Sequence, residues 1–244
     1  MTILVVTGTG TDVGKTVATA ALAACASGAV AVVKVAQTGV APGVPGDLAE
    51  ITRLSGRPDV HEFARYPDPL SPHHAAQLSG LPGVDRSDAV ARIKELDRTH
   101  DLVLVEGAGG LLVPYAVTPA LSQPGLDSEW TLLDLAIELR APLLLVTMAG
   151  LGTLNHTALT VRVIEAAAGE LAGIMIGSWP AEPGLAERCN VRDLAGMAPY
   201  RELAGVLPAG MSSMRDFPEQ ARAALSPRLG GTFDWPAFRS AVRA

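Results

Sequence analysis

The residues from Thr7 to Thr16 have the types and the spacing of a phosphate-binding loop. They read TGTGTDVGKT and lie between the short apolar run 3–6 and the alanine-rich segment 17–24. A glycine-rich turn that joins a buried strand to a helix directs unpaired backbone N–H groups and the positive end of the helix dipole at one point, where phosphate fits. Lys15 would reach the β- and γ-phosphates, and the Thr16 hydroxyl would hold Mg²⁺. The loop therefore predicts a nucleoside triphosphate site.

This loop is one residue longer than the common form of the motif. Gly8 lies six residues before Gly14, and Thr9 stands five residues before it, where the common spacing has glycine. The alternative interpretation is a glycine-rich turn that binds nothing. The Gly-Lys-Thr triplet between a buried strand and a helix favours the nucleotide site.

Lysine is rare in this chain, and two of its three positions lie where chemistry is expected. Nineteen residues are lysine or arginine, and the lysines are Lys15, Lys34 and Lys94. Lysine offers a compact ammonium where arginine offers a wide fork, so its use beside a buried strand end favours a ligand role for Lys15 and Lys34. The alternative for Lys34 is a strand-end side chain that reaches out to solvent. Lys94 is expected on a helix surface.

Glu106 ends an apolar run and is followed by the glycine-rich turn 107–110. A carboxylate at a buried strand end needs a partner because its desolvation is costly. Mg²⁺ and the Thr16 hydroxyl would provide one, and the alternative is a salt bridge with an arginine. Asp47 is a second candidate carboxylate, or else only the cap of the short helix 47–54. The glycines after Glu106 would let a ligand approach the backbone.

Apolar strands alternate with helical segments along the chain, which is typical of a parallel sheet with helices on both faces. Irregular segments are expected at 40–46, 63–72 and 113–130, and two weak helices in the tail after Met214. We expect a single α/β domain over residues 1–244 with a P-loop NTPase-like fold. The expected strands are 3–6, 30–33, 101–106, 143–147, 171–177 and 203–208; the expected helices are 17–24, 47–54, 73–78, 87–98, 131–140, one from the turn 150–156 to about 168, and 189–197.

Composition narrows the class of protein. The chain is 48% hydrophobic with a formal net charge of −6, so we expect a globular core and no nucleic-acid partner, because phosphate backbones call for a basic face. Cys25 and Cys189 give neither a disulfide framework nor metal-ligand spacing.

The longest apolar run, 141–152, is too short for a bilayer and no signal peptide precedes the first strand, so a cytoplasmic location without membrane contact is expected. His73 and His74 are adjacent and cannot face one another on a helix, so a structural role or a place at a site rim is expected.

Four of these features follow predicted strands of the sheet. They are the phosphate-binding loop, Lys34 with Thr38, Glu106 with its glycines, and the second glycine-bearing turn that leads to Asn155. In open parallel sheets ligands bind outside the carboxyl ends of the strands. We therefore expect all four to meet at one site.

In these segments the chain resembles a known family, the dethiobiotin synthetases, which are ATP-dependent enzymes of late biotin synthesis. The resemblance covers most of the chain, to about Gly210, and the longer phosphate-binding loop is the form this family uses. Its motifs here are VTGTGTDVGKT at the start, KVAQTG at Lys34, DLAEITRL at Asp47, VEGAGGLLVP around Glu106, GLGTLNHTALT near Asn155, IGSWP near Gly177 and LPAG at Leu207.

The resemblance implies a reaction in which 7,8-diaminononanoate is carboxylated with CO₂ and closed to a cyclic urea with ATP. One amine becomes a carbamate, and the carbamate oxygen attacks the γ-phosphorus to give a carbamic–phosphoric anhydride. The second amine then displaces phosphate and closes the ring of dethiobiotin. ATP and CO₂ are thus the implied co-substrates and Mg²⁺ the implied cofactor.

Site roles follow from the family's pattern, residue by residue. Lys34, with Lys15, would be catalytic, and Thr38 would contact the substrate or its carbamate. The implied metal ligands are Thr16, Asp47 and Glu106. The implied nucleotide-binding residues are Asp12, Val13, Gly14, Lys15, Thr16, Val17, Asp47, Glu106, Gly107, Ala108, Gly109, Gly177, Ser178, Pro208, Ala209 and Gly210.

The resemblance also implies a homodimer with the substrate at the subunit interface, where Leu151, Gly152 and Asn155 would cap the substrate carboxylate from the partner chain. The chain departs from the family in three places. The segment 177–180 stands where members commonly have an asparagine that reads adenine, which favours base recognition through the backbone and leaves the nucleotide preference open. The segment 115–129 looks longer than usual, and the tail after Met211 is unmatched.

A competing interpretation is a nucleotide-dependent switch of the chromosome-partitioning or cell-division ATPase type. Such proteins share the deviant loop but usually carry an extra lysine early in it, where this chain has Gly8, Thr9 and Gly10. They also often end in a basic membrane-targeting helix, which the tail does not resemble. An amidoligase acting on a corrin is a third possibility, although those chains are usually longer.

Overall fold

The structure is a computed structural model that describes residues 3–118 and 128–242. Its strands are β1 (Ile3–Gly8), β2 (Val30–Lys34), β3 (Val60–Glu62), β4 (Leu102–Glu106), β5 (Ala116–Thr118), β6 (Ser128–Trp130), β7 (Leu143–Thr147), β8 (Leu171–Trp179) and β9 (Gly205–Pro208). Its helices are α1 (Lys15–Cys25), α2 (Asp47–Ser55), α3 (Pro72–Ser79), α4 (Arg86–Asp97), α5 (Leu132–Leu139), α6 (Thr153–Ala166), α7 (Leu185–Met197), α8 (Phe217–Ala224) and α9 (Trp235–Ala241).

Seven of the described strands are parallel and form one sheet in the order β3-β2-β4-β1-β7-β8-β9. Successive side chains of a strand point to opposite faces. Val5 accordingly lies in a core with residues of α4 and α5, whereas Val6 lies in a core with residues of α1, α2 and α8. Both faces of the sheet are covered, and the predicted α/β fold is confirmed.

The tail consists of two helices, as predicted, and both are packed. Phe217 and Ala221 of α8 join the core beneath α1, and Trp235 of α9 joins a third core between β8 and α7. Among the helices that the structure describes, none is both long enough and apolar enough to cross a membrane.

The structure corrects the expected elements at several points. The edge strand β3 was not predicted, because three residues of mixed polarity give no periodic signal. The segment 113–130, expected as a loop, contains the antiparallel pair β5–β6, while residues 119–127 lie outside the described part. Helix α7 begins at Leu185 rather than at Cys189. Asp47 is not the cap of α2 but its first residue, since the extended Gly46 occupies the cap position.

The register of the sheet brings the predicted site residues Lys34 and Glu106 close to the phosphate-binding loop. Lys34 and Glu106 are register partners on the neighbouring strands β2 and β4, so both side chains leave the same face at the same height. Strand β4 lies beside β1, whose end leads into the phosphate-binding loop. The loop, the lysine and the carboxylate therefore share one end of the sheet.

Two glycines let the phosphate-binding loop lie directly on strand β8. A Cβ at Gly177 would stand 2.0 Å from the carbonyl oxygen of Val13 and 2.6 Å from a methyl group of Val146. Gly14 has a φ of 98°, and a Cβ there would stand 2.5 Å from the carbonyl oxygen of Gly177. Backbone-to-backbone contact with β8 thus supports the loop from behind.

We expect Gly177→Ala to lower the free energy of unfolding by about 1–3 kcal/mol, because the new methyl group meets backbone that cannot yield without displacing the loop. Nucleotide affinity should fall with it. Urea unfolding and a nucleotide-binding titration would measure the two effects. The matched control is Gly196→Ala in α7, where a Cβ meets nothing within 4 Å and a gain of up to about 1 kcal/mol is expected. Unchanged stability and affinity in Gly177→Ala would contradict the packing argument.

Candidate functional site

A cleft of about 910 Å³ opens at the carboxyl ends of β1, β2 and β4. Its wall also includes residues 69–72, of which 69–71 lie in the predicted irregular segment and Pro72 begins α3. Among the predicted site residues, those that line the cleft are Asp12, Gly14, Lys15, Thr16, Val17, Lys34, Thr38, Asp47, Ala108 and Gly109. Glu106 is fully buried just behind this surface and contacts two of its residues, Lys34 and Thr16.

The start of α1 is arranged for an anion. Gly14 precedes the helix in a left-handed conformation, and within the described residues no side chain caps the first turn. Its backbone N–H groups are therefore available to phosphate. The Lys15 ammonium donates to the carbonyl oxygen of Gly10 at 2.8 Å, which folds the side chain back over the loop.

The pKa of Lys15 is lowered, first by burial and then by the positive charge of Lys34, against the opposing effect of nearby carboxylates. A bound anion would favour the charged ammonium again. The loop is thus electrostatically complementary to a polyphosphate.

Lys34 is the centre of a buried cluster of charges. Its ammonium lies 2.7 Å from Oε1 of Glu106 and 2.5 Å from Oδ2 of Asp47, and it also donates to the carbonyl oxygen of Gly107 at 3.3 Å. Burial by itself lowers the pKa of Lys34, but the carboxylates of Glu106 and Asp47 outweigh burial and raise it above its ordinary value. The two carboxylates therefore favour the charged ammonium form of Lys34.

The carboxylate of Glu106 is held on one side only. Its Oε1 accepts from Lys34 and from the Thr16 hydroxyl at 3.1 Å, whereas its buried Oε2 has no hydrogen-bond partner among residues 3–118 and 128–242. The expected alternative, a salt bridge with an arginine, is wrong in its partner, which is Lys34. An unpartnered buried oxygen of this kind points to a further ligand.

Oxygen ligands from Thr16, Asp47 and Glu106 suit Mg²⁺, which usually keeps waters and takes substrate phosphates as its other ligands. In the described part of the chain no three His, Cys, Asp or Glu residues are grouped so as to hold a metal on their own. The donor set therefore fits a cation that arrives with a nucleotide.

Gln37 is a site residue that the sequence reasoning missed. Its buried side-chain carbonyl accepts the backbone N–H of Asp47 at 2.8 Å, and its amide donates to the carbonyl oxygen of Thr38 at 3.2 Å. Because Gly46 has no side chain to cap α2, Gln37, three residues after the end of β2, does so and fixes the backbone of Asp47 near Lys34. The sequence signal for this contact is Gly46, which stands directly before Asp47. A glycine at a helix cap has no side chain to accept the first N–H groups, so a side chain from another segment is expected to do so.

Several predicted residues lie outside the cleft. Ser178, Ala209 and Gly210 are exposed at the ends of β8 and β9, while Gly177 contacts the loop through its backbone. Pro208, the last residue of β9, pairs with Trp179 of β8. Val13 is part of the core and Gly107 contributes its carbonyl group to Lys34.

The two histidines lie at the start of α3, directly after the cleft residues Ser71 and Pro72. Their rings are 5.2 Å apart and tilted, and Nδ1 of His74 is 2.9 Å from the Ser71 hydroxyl. This position agrees with the expected place at the rim of the site.

Leu151, Gly152 and Asn155 form an exposed group before and in the first turn of α6. The side chain of Leu151 is 91% exposed, and Asn155 is exposed as well. Buried hydroxyl groups hold this turn: Thr147 lies 2.7 Å from Thr153 and 2.8 Å from Thr157, and the Thr153 hydroxyl donates to the carbonyl oxygen of Met148 at 2.6 Å. Hydrogen bonds between buried hydroxyl groups thus hold the turn, and Leu151, Gly152 and Asn155 are not among the residues that line the cleft.

The chain is similar to known proteins over most of its length. Residues 2–215 match the model of a family described as an AAA domain. The chain is 56% identical over 245 residues to the ATP-dependent dethiobiotin synthetase BioD of Frankia casuarinae, covering 98% of each chain. It is 59% identical over 213 residues to the protein of the same name from Rhodococcus jostii, covering 86% of this chain and 87% of that one.

Among solved structures, the fold is similar to that of the MinC:MinD cell division protein complex of Aquifex aeolicus. The TM-score is 0.50 with 14% sequence identity, over 91% of this chain and 86% of that chain. At this identity the likeness concerns the fold alone.

Proposed function

Because this chain belongs to the family of ATP-dependent dethiobiotin synthetases, we propose that its cleft holds ATP beside 7,8-diaminononanoate and CO₂ and closes the ring of dethiobiotin. The observation that carries the assignment of the site is the buried Lys34 ammonium, which lies between two carboxylates at the edge of the phosphate-binding loop. ATP-dependent dethiobiotin synthesis is the function of the chain. A cytoplasmic location stays a prediction.

The cationic side chains answer an electrostatic problem of this reaction. A substrate carbamate and a triphosphate are both anions, and they must be held within bonding distance against their repulsion. Lys15 and Lys34 place two ammonium groups at the same end of the sheet, where they would stabilise charge on the transferring phosphoryl group. In the free enzyme, Glu106 and Asp47 outweigh burial and raise the pKa of Lys34, which favours its charged form before the substrates bind.

The bonds change in three steps. An amine of the substrate adds to CO₂ and loses a proton, giving a carbamate. A carbamate oxygen then attacks the γ-phosphorus of ATP as ADP leaves, and the second amine attacks the carbonyl carbon of the mixed anhydride as phosphate leaves. Positioning contributes more to such transfers than acid–base strength does, which agrees with a lysine whose charged form is favoured.

Lys34 must exchange a partner in order to contact substrate. An ammonium has three donor hydrogens, and Glu106, Asp47 and the Gly107 carbonyl occupy all three. Asp47 is the partly exposed member, with a side chain 33% accessible, so it can leave Lys34 at the least cost in solvation. We assign Thr38, which lines the cleft near Lys34, to the substrate or its carbamate.

Thr16, Asp47 and Glu106 are the residues that would hold Mg²⁺. The unpartnered Oε2 of Glu106 and the availability of Asp47 support this assignment. When bound, the cation would offset negative charge on the β- and γ-phosphates. The side chains themselves fix where the phosphates lie.

Lys34→Ala should lower the rate of dethiobiotin formation by at least about a hundredfold. The reason is that negative charge on the transferring phosphoryl group loses the ammonium that stabilises it. In protein that remains folded, ATP affinity should stay within about threefold, since the loop from Gly8 to Thr16 keeps its sequence. Urea unfolding is measured alongside, because Glu106 loses its buried partner and a loss of about 3–5 kcal/mol is expected. Product formation and a binding titration measure the two quantities. Lys94→Ala on the exposed face of α4 is the matched control and should leave both unchanged. Full activity in Lys34→Ala would remove the role given to Lys34.

The same assay separates the synthetase from a nucleotide switch. With Mg-ATP and bicarbonate, phosphate release by the synthetase should depend on the diamine. Release at the same rate without the diamine would favour the switch.

Glu106→Gln should raise the Mg²⁺ concentration needed for half-maximal activity by about tenfold, because an anionic oxygen ligand is replaced by a neutral one. A Mg²⁺ titration at fixed ATP measures it. Asp134→Asn, which changes a carboxylate of the α5 capping box, is a control for the general effect of removing a carboxylate. An unchanged Mg²⁺ dependence in Glu106→Gln would argue against coordination.

We further propose that the enzyme is a homodimer in which Leu151, Gly152 and Asn155 complete the substrate site of the partner. Support comes from the exposed position of this group outside its own cleft and from the nearby Met148, whose side chain is 57% exposed. Exposed apolar side chains beside a firm polar turn suit an interface. Asn155 would then bind the substrate carboxylate across it.

Subunit complementation tests this arrangement. Lys34→Ala and Asn155→Ala should each be nearly inactive at low diamine concentration. Mixed and allowed to exchange subunits, they should regain roughly a quarter of wild-type activity, because half of the random dimers carry one site with both residues intact. A mixture as inactive as its components, in a protein shown to exchange subunits, would place both residues in the same subunit's site.

A further inference from the structure

One peptide group behind the cleft has a role in the site that the predicted residues do not explain. The carbonyl oxygen of Gly107 accepts from Lys34 at 3.3 Å, and the N–H of Ala108, which belongs to the same peptide plane, donates to the phenol oxygen of Tyr115 at 2.7 Å. In a trans peptide these two groups point in opposite directions. Whatever holds the N–H therefore sets the direction of the carbonyl.

Tyr115 is a rigid holder. Its side chain is fully buried and stacks on Trp130 with ring centroids 4.7 Å apart. Its backbone N–H donates to the Trp130 carbonyl oxygen at 3.0 Å, and the Trp130 indole donates to the carbonyl oxygen of Val84 at 3.1 Å. The phenol is thus fixed from behind by the pair β5–β6 and the segment before α4.

The Tyr115 hydroxyl also lies close to the backbone of Gly107. A Cβ at Gly107 would stand 3.3 Å from the Tyr115 hydroxyl and 2.3 Å from a methyl group of Leu132. The glycine therefore lets the phenol lie against the peptide itself. Burial raises the pKa of Tyr115 to about 12, so the phenol stays neutral at the pH at which the enzyme works.

We propose that Tyr115 is a positioning residue of the reaction, which orients the Gly107–Ala108 peptide so that its carbonyl oxygen faces and fixes the Lys34 ammonium. The inference rests on the proposed role of Lys34. It gives a function to the start of the segment 115–129, whose unusual length the resemblance does not explain. Tyr115 acts through the peptide and does not itself touch the substrate.

Tyr115→Phe tests the proposal because it keeps the ring and its stacking but removes the acceptor. We expect kcat for dethiobiotin formation to fall about five- to tenfold, with the KM for ATP within about twofold, since the loop contacts are unchanged. The control is Tyr66→Phe, which loses a part-buried hydroxyl bond to backbone, from Tyr66 to the carbonyl oxygen of Pro82 at 2.8 Å, while the ring of Tyr66 is as buried as that of Tyr115. It should lower the unfolding midpoint to a similar extent while kcat changes by less than about twofold.

Wild-type kcat in Tyr115→Phe, or an equal loss of kcat in Tyr66→Phe, would overturn the inference. Lys34→Ala in the same assay distinguishes failure of the proposed role of Lys34 from failure of the proposed role of Tyr115. If Lys34→Ala keeps its activity, the proposed role of Lys34 fails, and if Lys34→Ala is inactive while Tyr115→Phe is fully active, the inference alone fails. Amide hydrogen exchange of wild-type Ala108 is a readout that needs no variant: strong protection supports the bond to Tyr115, and exchange at the rate of a free amide overturns it.

Discussion

A lysine and a glutamate buried side by side, Lys34 and Glu106, determine what the rest of the structure must provide. Neither charge could stay in the interior alone, because desolvation of a single ion is prohibitive, and removal of one member of such a pair typically costs about 3–5 kcal/mol. Their spacing comes from the β2–β4 register, and that register is kept by strands that are buried on both faces. The packing of the core therefore also sets the geometry of the site. A shift in the register of β2 against β4 would change the distance between Lys34 and Glu106.

The sequence allowed the parts of this construction to be predicted but not their contacts. Glu106, at the end of an apolar run, and Lys34, as one of three lysines, were identifiable because residue type and strand position are local properties. Their direct pairing was not predicted, because register depends on packing across the sheet. Asp47 was placed one position wrong at the start of α2, since the group that caps this helix is Gln37, ten residues earlier in the chain.

The unpredicted elements share a physical cause. Strand β3 and the pair β5–β6 are each three residues long, too short for a hydrophobic period to appear. Tyr115 and Trp130 are stacked only because that pair brings them together, so their joint hold on the Gly107–Ala108 peptide is a tertiary property. The fold shared with the cell division complex of Aquifex aeolicus likewise shows that a sheet of this kind does not specify chemistry, which depends on the side chains at its carboxyl edge.

The buried threonines beneath α6 form a chain with a fixed direction. Thr153 uses its one hydroxyl hydrogen on the Met148 carbonyl, so it can only accept from Thr147. Thr147 has then used its own hydrogen and must accept from Thr157. The same oxygen of Thr147 is 3.4 Å from the Thr9 hydroxyl in the phosphate-binding loop, and that contact can also run only toward Thr147. A single ordering of hydrogens thus links the phosphate-binding loop to the turn before α6, which we propose serves the partner's site.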